Sequence, residues 1–258
     1  MVLKGILLCS QGFLFVLLPG YVIFLLLQRM PTVDRAFIWW GAGGLLLALL
    51  PLNFFTSLSR QILAASGGAN RAVIQFTITA LLTGFFVEGM KYLVLKYKRL
   101  AGQALVPSGV AVGLGAGMIT RIFLGFALIG VGIRLLFGDT STALLAETAA
   151  RSLPDLGLSA VVSVVDRLSL LLFNACLGAV AGYAILNKKL HLLLYAMLIH
   201  AAIELVYNAI TFGLAGRGQL PTLLALAFEC VLVAVGWWWL QGQLPAPART
   251  VKRKKARK

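Results

Sequence analysis

The sequence predicts an all-α, polytopic integral membrane protein: a helical bundle of about seven transmembrane helices. Two observations on composition predict it: 60% of the 258 residues are hydrophobic, and only 12% are charged, compared with about 25% in average soluble domains. The third is the length of the apolar runs, because a helix that crosses a bilayer needs about 20 mostly apolar residues. Too few polar residues remain to cover a soluble globule.

Seven apolar runs predict the spans. They cover residues 5–28, 36–58, 71–95, 108–137, 157–187, 190–214 and 220–241. The first run contains Pro19 and Gly20 and is followed by no small-residue cleavage site, so we expect a retained span rather than a signal peptide. The fourth and fifth runs exceed the bilayer thickness and are expected to tilt.

One connection carries its own helix signal. Residues 140–151 are expected to form a short interfacial helix, with Thr140 or Ser141 as its N-cap and its end near Pro154. The rest of the chain divides simply. Residues 1–244 form the transmembrane domain, and 245–258 form a basic tail that we expect to be disordered.

The basic residues orient the chain with the N-terminus outside and the C-terminus inside. With seven spans, fourteen of the 23 Lys and Arg residues fall in inner segments, against six in outer segments and three within spans. Seven of them lie in the tail, which we expect to bind anionic lipid headgroups at the inner face of the cell membrane. This distribution favours a lipid bilayer as the partner and argues against nucleic acid, despite the net charge of +15.

Polar residues interrupt five of the predicted spans. They are Glu88 and Lys91 in the third, Arg121 in the fourth, Asp166, Arg167 and Asn174 in the fifth, His200, Glu204 and Asn208 in the sixth, and Glu229 in the seventh. Ionisable groups within a bilayer are costly and usually face the interior of a bundle or a wet cavity. We expect Asp166 and Arg167 to form an interfacial pair near the outer end. Arg121 needs a partner, for which Glu88, Glu204 and Glu229 are candidates.

Depth and spacing bring several of these groups together. At about 1.5 Å per residue, Glu88 lies about 12 Å, His200 about 16 Å and Asn174 about 21 Å from the inner end of its span. Glu88 and Lys91 are spaced i,i+3, and His200 and Glu204 are spaced i,i+4, so each pair lies on one face of its helix. We therefore expect the two stripes to meet at overlapping depth.

Two interpretations of this layer remain open. In the first, a buried carboxylate activates water, a histidine assists it and an asparagine donates to an oxyanion, which suits hydrolysis of a peptide or ester bond, or a proton relay. In the second, Glu88 and Lys91 neutralise each other, while His200 and Glu204 clamp two helices together.

Four segments in order resemble the YhfC and PrsW branches of the glutamic-type intramembrane proteases, relatives of the CAAX-processing proteases. The segments are "LLTGFFVEGMKYL", "GLGAGMITRIFLG", "DRLSLLLFNACLGAVAGYAI" and "YAMLIHAAIELVYN", within about residues 80–210. The resemblance implies an intramembrane protease with a catalytic set of Glu88, Lys91, Asn174, His200 and Glu204. The chain departs from the family pattern at four positions: Val87 and Thr120 where Glu is expected, and Ala116 and Asn174 where His is expected.

We therefore expect a divergent family member whose hydrolytic activity is weak or absent. The rival function is a non-catalytic membrane subunit that binds a partner helix or lipid in the same cavity. A transporter is less favoured, because the sequence shows neither internal repeats nor paired broken helices. One His and two scattered Glu residues do not predict a zinc site, and we expect no cofactor. The Gly-rich "GVAVGLGAGM" predicts close helix packing rather than a phosphate loop.

Overall fold

The computed structural model describes residues 1–30, 33–66, 71–97, 105–213 and 220–243. The helices follow in the order α1 (Val2–Gln28), α2 (Ala36–Ser66), α3 (Arg71–Tyr97), α4 (Leu105–Leu136), α5 (Ala143–Ala150), α6 (Leu153–Leu186), α7 (Leu190–Gly213) and α8 (Leu220–Gln243). Within these ranges, all except the short α5 are long and apolar enough to cross a membrane, which confirms the predicted seven-span bundle.

Helices α4 and α6 form the centre of the bundle, in close backbone contact. A Cβ atom on Gly109 would collide with the carbonyl oxygen of Gly178, and a Cβ atom on Gly113 would collide with that of Asn174. On the opposite side of α4, Gly115 approaches the backbone of Ile38 in α2. The Gly-rich segment therefore serves close helix packing, as predicted.

The remaining spans pack around this pair. Helix α1 contacts α4 through facing glycines, where Gly5 meets Gly132 and Gly12 meets Gly125. Helix α3 packs between α2 and α7, and α8 packs on α6. Large apolar side chains such as Trp39 point outward, as expected of a surface in contact with lipid. This arrangement brings α3, α6 and α7 together around the polar residues.

Three predicted boundaries differ from the structure. Helix α2 continues to Ser66, eight residues beyond the predicted run. Helix α5 begins after Thr142, whose side chain accepts a hydrogen bond from the amide of Leu145, so the predicted caps Thr140 and Ser141 are wrong. Pro154 does not end α5, because Ser152 caps a new helix and places Pro154 in the first turn of α6.

The connection between α4 and α5 holds an exposed ion pair. The Arg134 Nη2 atom lies 2.7 Å from Asp139 Oδ2. The backbone amide of Ser141 donates to Asp139 at 2.8 Å, and this bond, with the Ser141 hydroxyl and Arg134, lowers the pKa of Asp139 to about 2. The segment in which the interfacial helix was predicted to begin is therefore a turn, which hydrogen bonds to the Asp139 carboxylate stabilise.

Candidate functional site

Glu88 lies at the centre of the described polar groups, on the face of α3 that packs against α6 and α7. Its side chain is fully buried. Its Oε1 atom lies 2.6 Å from Lys91 Nζ and 2.7 Å from His200 Nδ1. Its Oε2 atom is buried and accepts no hydrogen bond from the described residues. One carboxylate oxygen is therefore held by two partners, and the other is buried without a hydrogen-bond partner among the described residues.

Lys91 ties Glu88 to the central helix α6. Its ammonium group also donates to Asn174 Oδ1 at 2.7 Å. The Asn174 amide nitrogen donates to the backbone carbonyl of Leu170, one turn earlier in α6, at 2.8 Å. This second bond fixes the orientation of the amide, so that its oxygen points at Lys91. The contact that Asn174 makes in this arrangement is with the lysine.

His200 connects the buried carboxylate to a second one on its own helix. Its Nδ1 atom contacts Glu88, while its Nε2 atom lies 3.9 Å from Glu204 Oε1. The ring of Phe173 in α6 meets the imidazole edge-on, with 5.5 Å between centroids, and holds its plane. The two ring nitrogens therefore face two carboxylates on opposite sides.

Glycines make this convergence possible. A Cβ atom on Gly84, one turn before Glu88, would collide with the backbone carbonyl of Met197, so glycine allows α3 and α7 to approach closely. Gly113 does the same for α4 beside Asn174. The structure thus brings Glu88, Lys91, Asn174 and His200 into one hydrogen-bonded cluster, with Glu204 at its edge. The sequence predicted these residues as the site.

A second polar cluster lies where α6, α7 and α8 meet. Arg167 Nε lies 3.0 Å from Asp166 Oδ2, so the predicted pair forms. Asp166 is buried, however, and it hydrogen-bonds the carboxyl group of Glu229 in α8. The hydroxyl of Ser169 also donates to Glu229. The pair is therefore part of an interhelical network rather than an isolated interfacial contact.

Sequence reasoning did not single out Ser169. Its position was nevertheless available as a signal, because it follows Asp166 by three residues and so lies on the same face of α6. A stripe drawn from Asp166 along the helix would have included it.

Arg121 takes a different partner from those predicted. Its side chain is buried, and its Nε atom donates to the backbone carbonyl of Arg167 at 2.8 Å. Of the three acids predicted as partners of Arg121, Glu229 attracts the guanidinium electrostatically. Asp166, which was not among them, does the same. Arg121 thus belongs to the second cluster and braces α4 against α6.

A cavity of about 240 Å³ opens beside this second cluster. Six of the eight residues that line it carry polar groups, and the lining residues are Asp166, Arg167, Leu170, Ile203, Glu204, Tyr207, Asn208 and Glu229. Glu204 lines the cavity, whereas Glu88 and His200 do not. The two clusters are therefore joined at Glu204, which lies at the cavity wall and next to His200.

Two of the four positions that depart from the family pattern are apolar and packed together. Val87 and Ala116 are both buried in one cluster with Leu45 of α2. Where the resemblance would place a second carboxylate and a histidine, the structure therefore has a dry contact between α2, α3 and α4. Thr120 lies elsewhere, with its hydroxyl 3.4 Å from Arg121 Nη1.

The described residues contain no group of three or more His, Cys, Asp or Glu side chains arranged to hold a metal ion. Comparisons with protein-family models, with curated proteins and with solved structures found no match to this chain. The resemblance to the glutamic-type intramembrane proteases rests on the four sequence segments alone.

Proposed function

We propose that this multi-pass membrane protein hydrolyses peptide bonds within the bilayer, with Glu88 as the base. The observation that carries the proposal is the state of the Glu88 carboxylate: Oε1 is fixed by Lys91 and His200, while Oε2 has no hydrogen-bond partner among the described residues. A base needs one oxygen held in place and another directed at the proton that it abstracts.

The chemistry balances with these groups. Glu88 Oε2 takes a proton from a water molecule, whose oxygen forms a bond to the peptide carbonyl carbon. The C–N bond then breaks, and the proton passes from Glu88 to the leaving nitrogen. Lys91 keeps Glu88 ionised before the reaction and offers its third ammonium hydrogen to the developing oxyanion.

Asn174 has a different role in this proposal from the one that the sequence suggested. Its amide nitrogen already donates to Leu170, and its oxygen accepts from Lys91. Asn174 therefore positions the lysine and is not the primary oxyanion donor. His200 positions the base and takes part in proton transfer.

Reconstituted protein tests the proposal directly. The wild-type chain and the variants Glu88→Gln, His200→Ala and His191→Ala are placed in nanodiscs with a fluorescently labelled single-span peptide. Cleavage by the wild type and by His191→Ala, with loss of about a hundredfold or more in Glu88→Gln, is the expected result. His191 is the matched control because it is the other histidine of the chain and lies exposed at the start of α7. Equal amounts of product from all four proteins would contradict hydrolysis at Glu88.

A specific observation favours a second candidate, a non-catalytic membrane subunit. The cavity lining does not include Glu88, and the contact of Val87 with Ala116 is apolar. In this case the buried cluster stabilises the bundle, and the cavity binds a partner helix or a lipid. Co-purification of a defined membrane protein in mild detergent, retained in Glu88→Gln but lost when Asn208 is replaced by Trp, would support it.

We also propose that the protein resides in the cell membrane with the basic segment 245–258 at anionic lipid headgroups. The excess of Lys and Arg in the predicted inner segments supports this placement. The segment lies outside the described residues.

A further inference from the structure

A continuous line of ionisable groups leads from the cavity to the buried carboxylate. Glu204 lines the cavity, and 31% of its side chain is exposed. His200, 5% exposed, follows at 3.9 Å, and Glu88, fully buried, lies 2.7 Å beyond it. Exposure to solvent thus falls stepwise along three titratable side chains that face one another.

We propose that the cavity is a water-filled vestibule and that His200 carries protons between Glu204 at its wall and Glu88. Glu88 then exchanges protons with the side of the membrane at which α7 ends and α8 begins. This assignment goes beyond the hydrolytic function and does not depend on it, since proton exchange requires no substrate.

The lining of the cavity supports the presence of water. Apolar cavities stay dry, whereas a cavity with several polar partners holds water. Here Asp166, Arg167, Glu204 and Glu229 supply ionisable groups, and the volume of about 240 Å³ accommodates several molecules. Asn208 lines the same cavity and lies five residues from the end of α7, about 8 Å along the axis. The vestibule is therefore nearest to that end of the bundle.

The imidazole of His200 has the geometry of a relay. Its neutral form carries a proton on one nitrogen and accepts on the other. With the proton on Nδ1, the ring accepts at Nε2 a proton that Glu204, 3.9 Å away, passes on through a bridging water of the vestibule, and it releases the Nδ1 proton to Glu88. One proton passes from Glu204 to Glu88, and the ring is left as the other tautomer. Transfer in the opposite direction restores the first tautomer.

Charged groups on each neighbouring helix define the field at His200. Helix α3 presents Glu88 and Lys91, and α7 itself presents Glu204. From α6, Phe173 holds the ring, while Asp166 and Arg167 line the cavity together with Glu229 of α8. Lys91 and His200 contact the same oxygen of Glu88, Oε1, so a proton delivered through His200 arrives at the oxygen that Lys91 also holds.

Cysteine labelling tests the vestibule. In a background with Cys9, Cys176 and Cys230 replaced by Ala, Asn208→Cys is compared with Val206→Cys, which lies two residues away with a 43% exposed side chain on the outer surface of α7. A charged, membrane-impermeant thiol reagent is applied to one side of proteoliposomes at a time. We expect the residue 208 thiol to react at least about tenfold faster from the side of the α7 end, because a thiol in lipid does not ionise. Equal reaction of both cysteines would overturn the vestibule.

Infrared spectroscopy tests the relay. The rate at which the ionised Glu88 exchanges protons with the solvent is followed as the rise of its carboxylic-acid C=O band after a downward pH jump, with Glu88→Gln used to assign the band. We expect His200→Phe to slow this exchange by about a hundredfold and His191→Phe to leave it unchanged. Should His200→Phe fail to fold, Glu204→Gln carries the same test, since it leaves the cluster of Glu88, Lys91 and Asn174 intact. An exchange rate equal to that of the wild type in whichever variant folds would overturn the relay.

Discussion

Removal of the Lys91 ammonium group should destabilise the protein more than removal of its neutral hydrogen-bond partner Asn174. Lys91 is 2% exposed and makes two hydrogen bonds, to Glu88 at 2.6 Å and to Asn174 at 2.7 Å. Lys91→Met keeps the length of the side chain but leaves the buried Glu88 carboxylate without its cation. Breaking a buried ion pair in this way costs about 3–5 kcal/mol.

Asn174, the neutral partner of Lys91, should rank below it. Asn174→Ala removes hydrogen bonds but no charge, and hydrogen bonds between membrane helices contribute about 0.6 kcal/mol on average and at most about 1.7. The double variant Glu88→Gln with Lys91→Met removes both charges. We expect it to be more stable than Lys91→Met alone, because no unpaired charge remains in the core.

The assay is equilibrium unfolding in mixed micelles by increasing SDS, with helix content followed by circular dichroism. Lys96→Met is the matched control, because Lys96 is exposed in the last turn of the same helix, 5.7 Å from the ring of Tyr92. Such an exposed cation–π contact is worth about 0.5–1 kcal/mol. The buried ion pair would be refuted if Lys91→Met lowered the free energy of unfolding by no more than Lys96→Met does. A double variant less stable than Lys91→Met would also refute it.

Three further predictions concern the scaffold. Gly113→Ala should cost about 1–3 kcal/mol in the same SDS titration because its Cβ would collide with the α6 backbone, whereas Gly130→Ala on the same helix meets open space and should not destabilise. The pKa of Asp139 is lowered to about 2, so its stabilising effect should be complete above the unfolded value near pH 4 and lost as the pH falls through about 2; carboxyl NMR titration checks this, and Ser141→Ala should raise the midpoint. Thr142→Ala removes the cap of α5 and should lower its local stability by about 0.5–2 kcal/mol, seen as faster amide exchange within that helix only.

The sequence determined the spans and the faces of two helices. Hydropathy and length act along a single helix, so the apolar runs predict each span without knowledge of its neighbours. The same is true of helical periodicity, which places Lys91 beside Glu88 and Glu204 beside His200. The prediction that these two stripes meet followed from depth, and the 2.7 Å contact between His200 and Glu88 confirms it.

The tertiary structure decided which polar side chains of different helices contact one another. Periodicity does not show how far a helix turns about its axis or which helix it meets, and these depend on where backbones approach at Gly84 and Gly113. Only the packed bundle shows that Arg121 donates to a backbone carbonyl of α6, that Asp166 joins Glu229, and that a cavity ends at Glu204. The sequence thus determined which residues are polar within the membrane. The contacts between helices decided that those residues form two clusters joined at Glu204, because each contact depends on residues from separate spans.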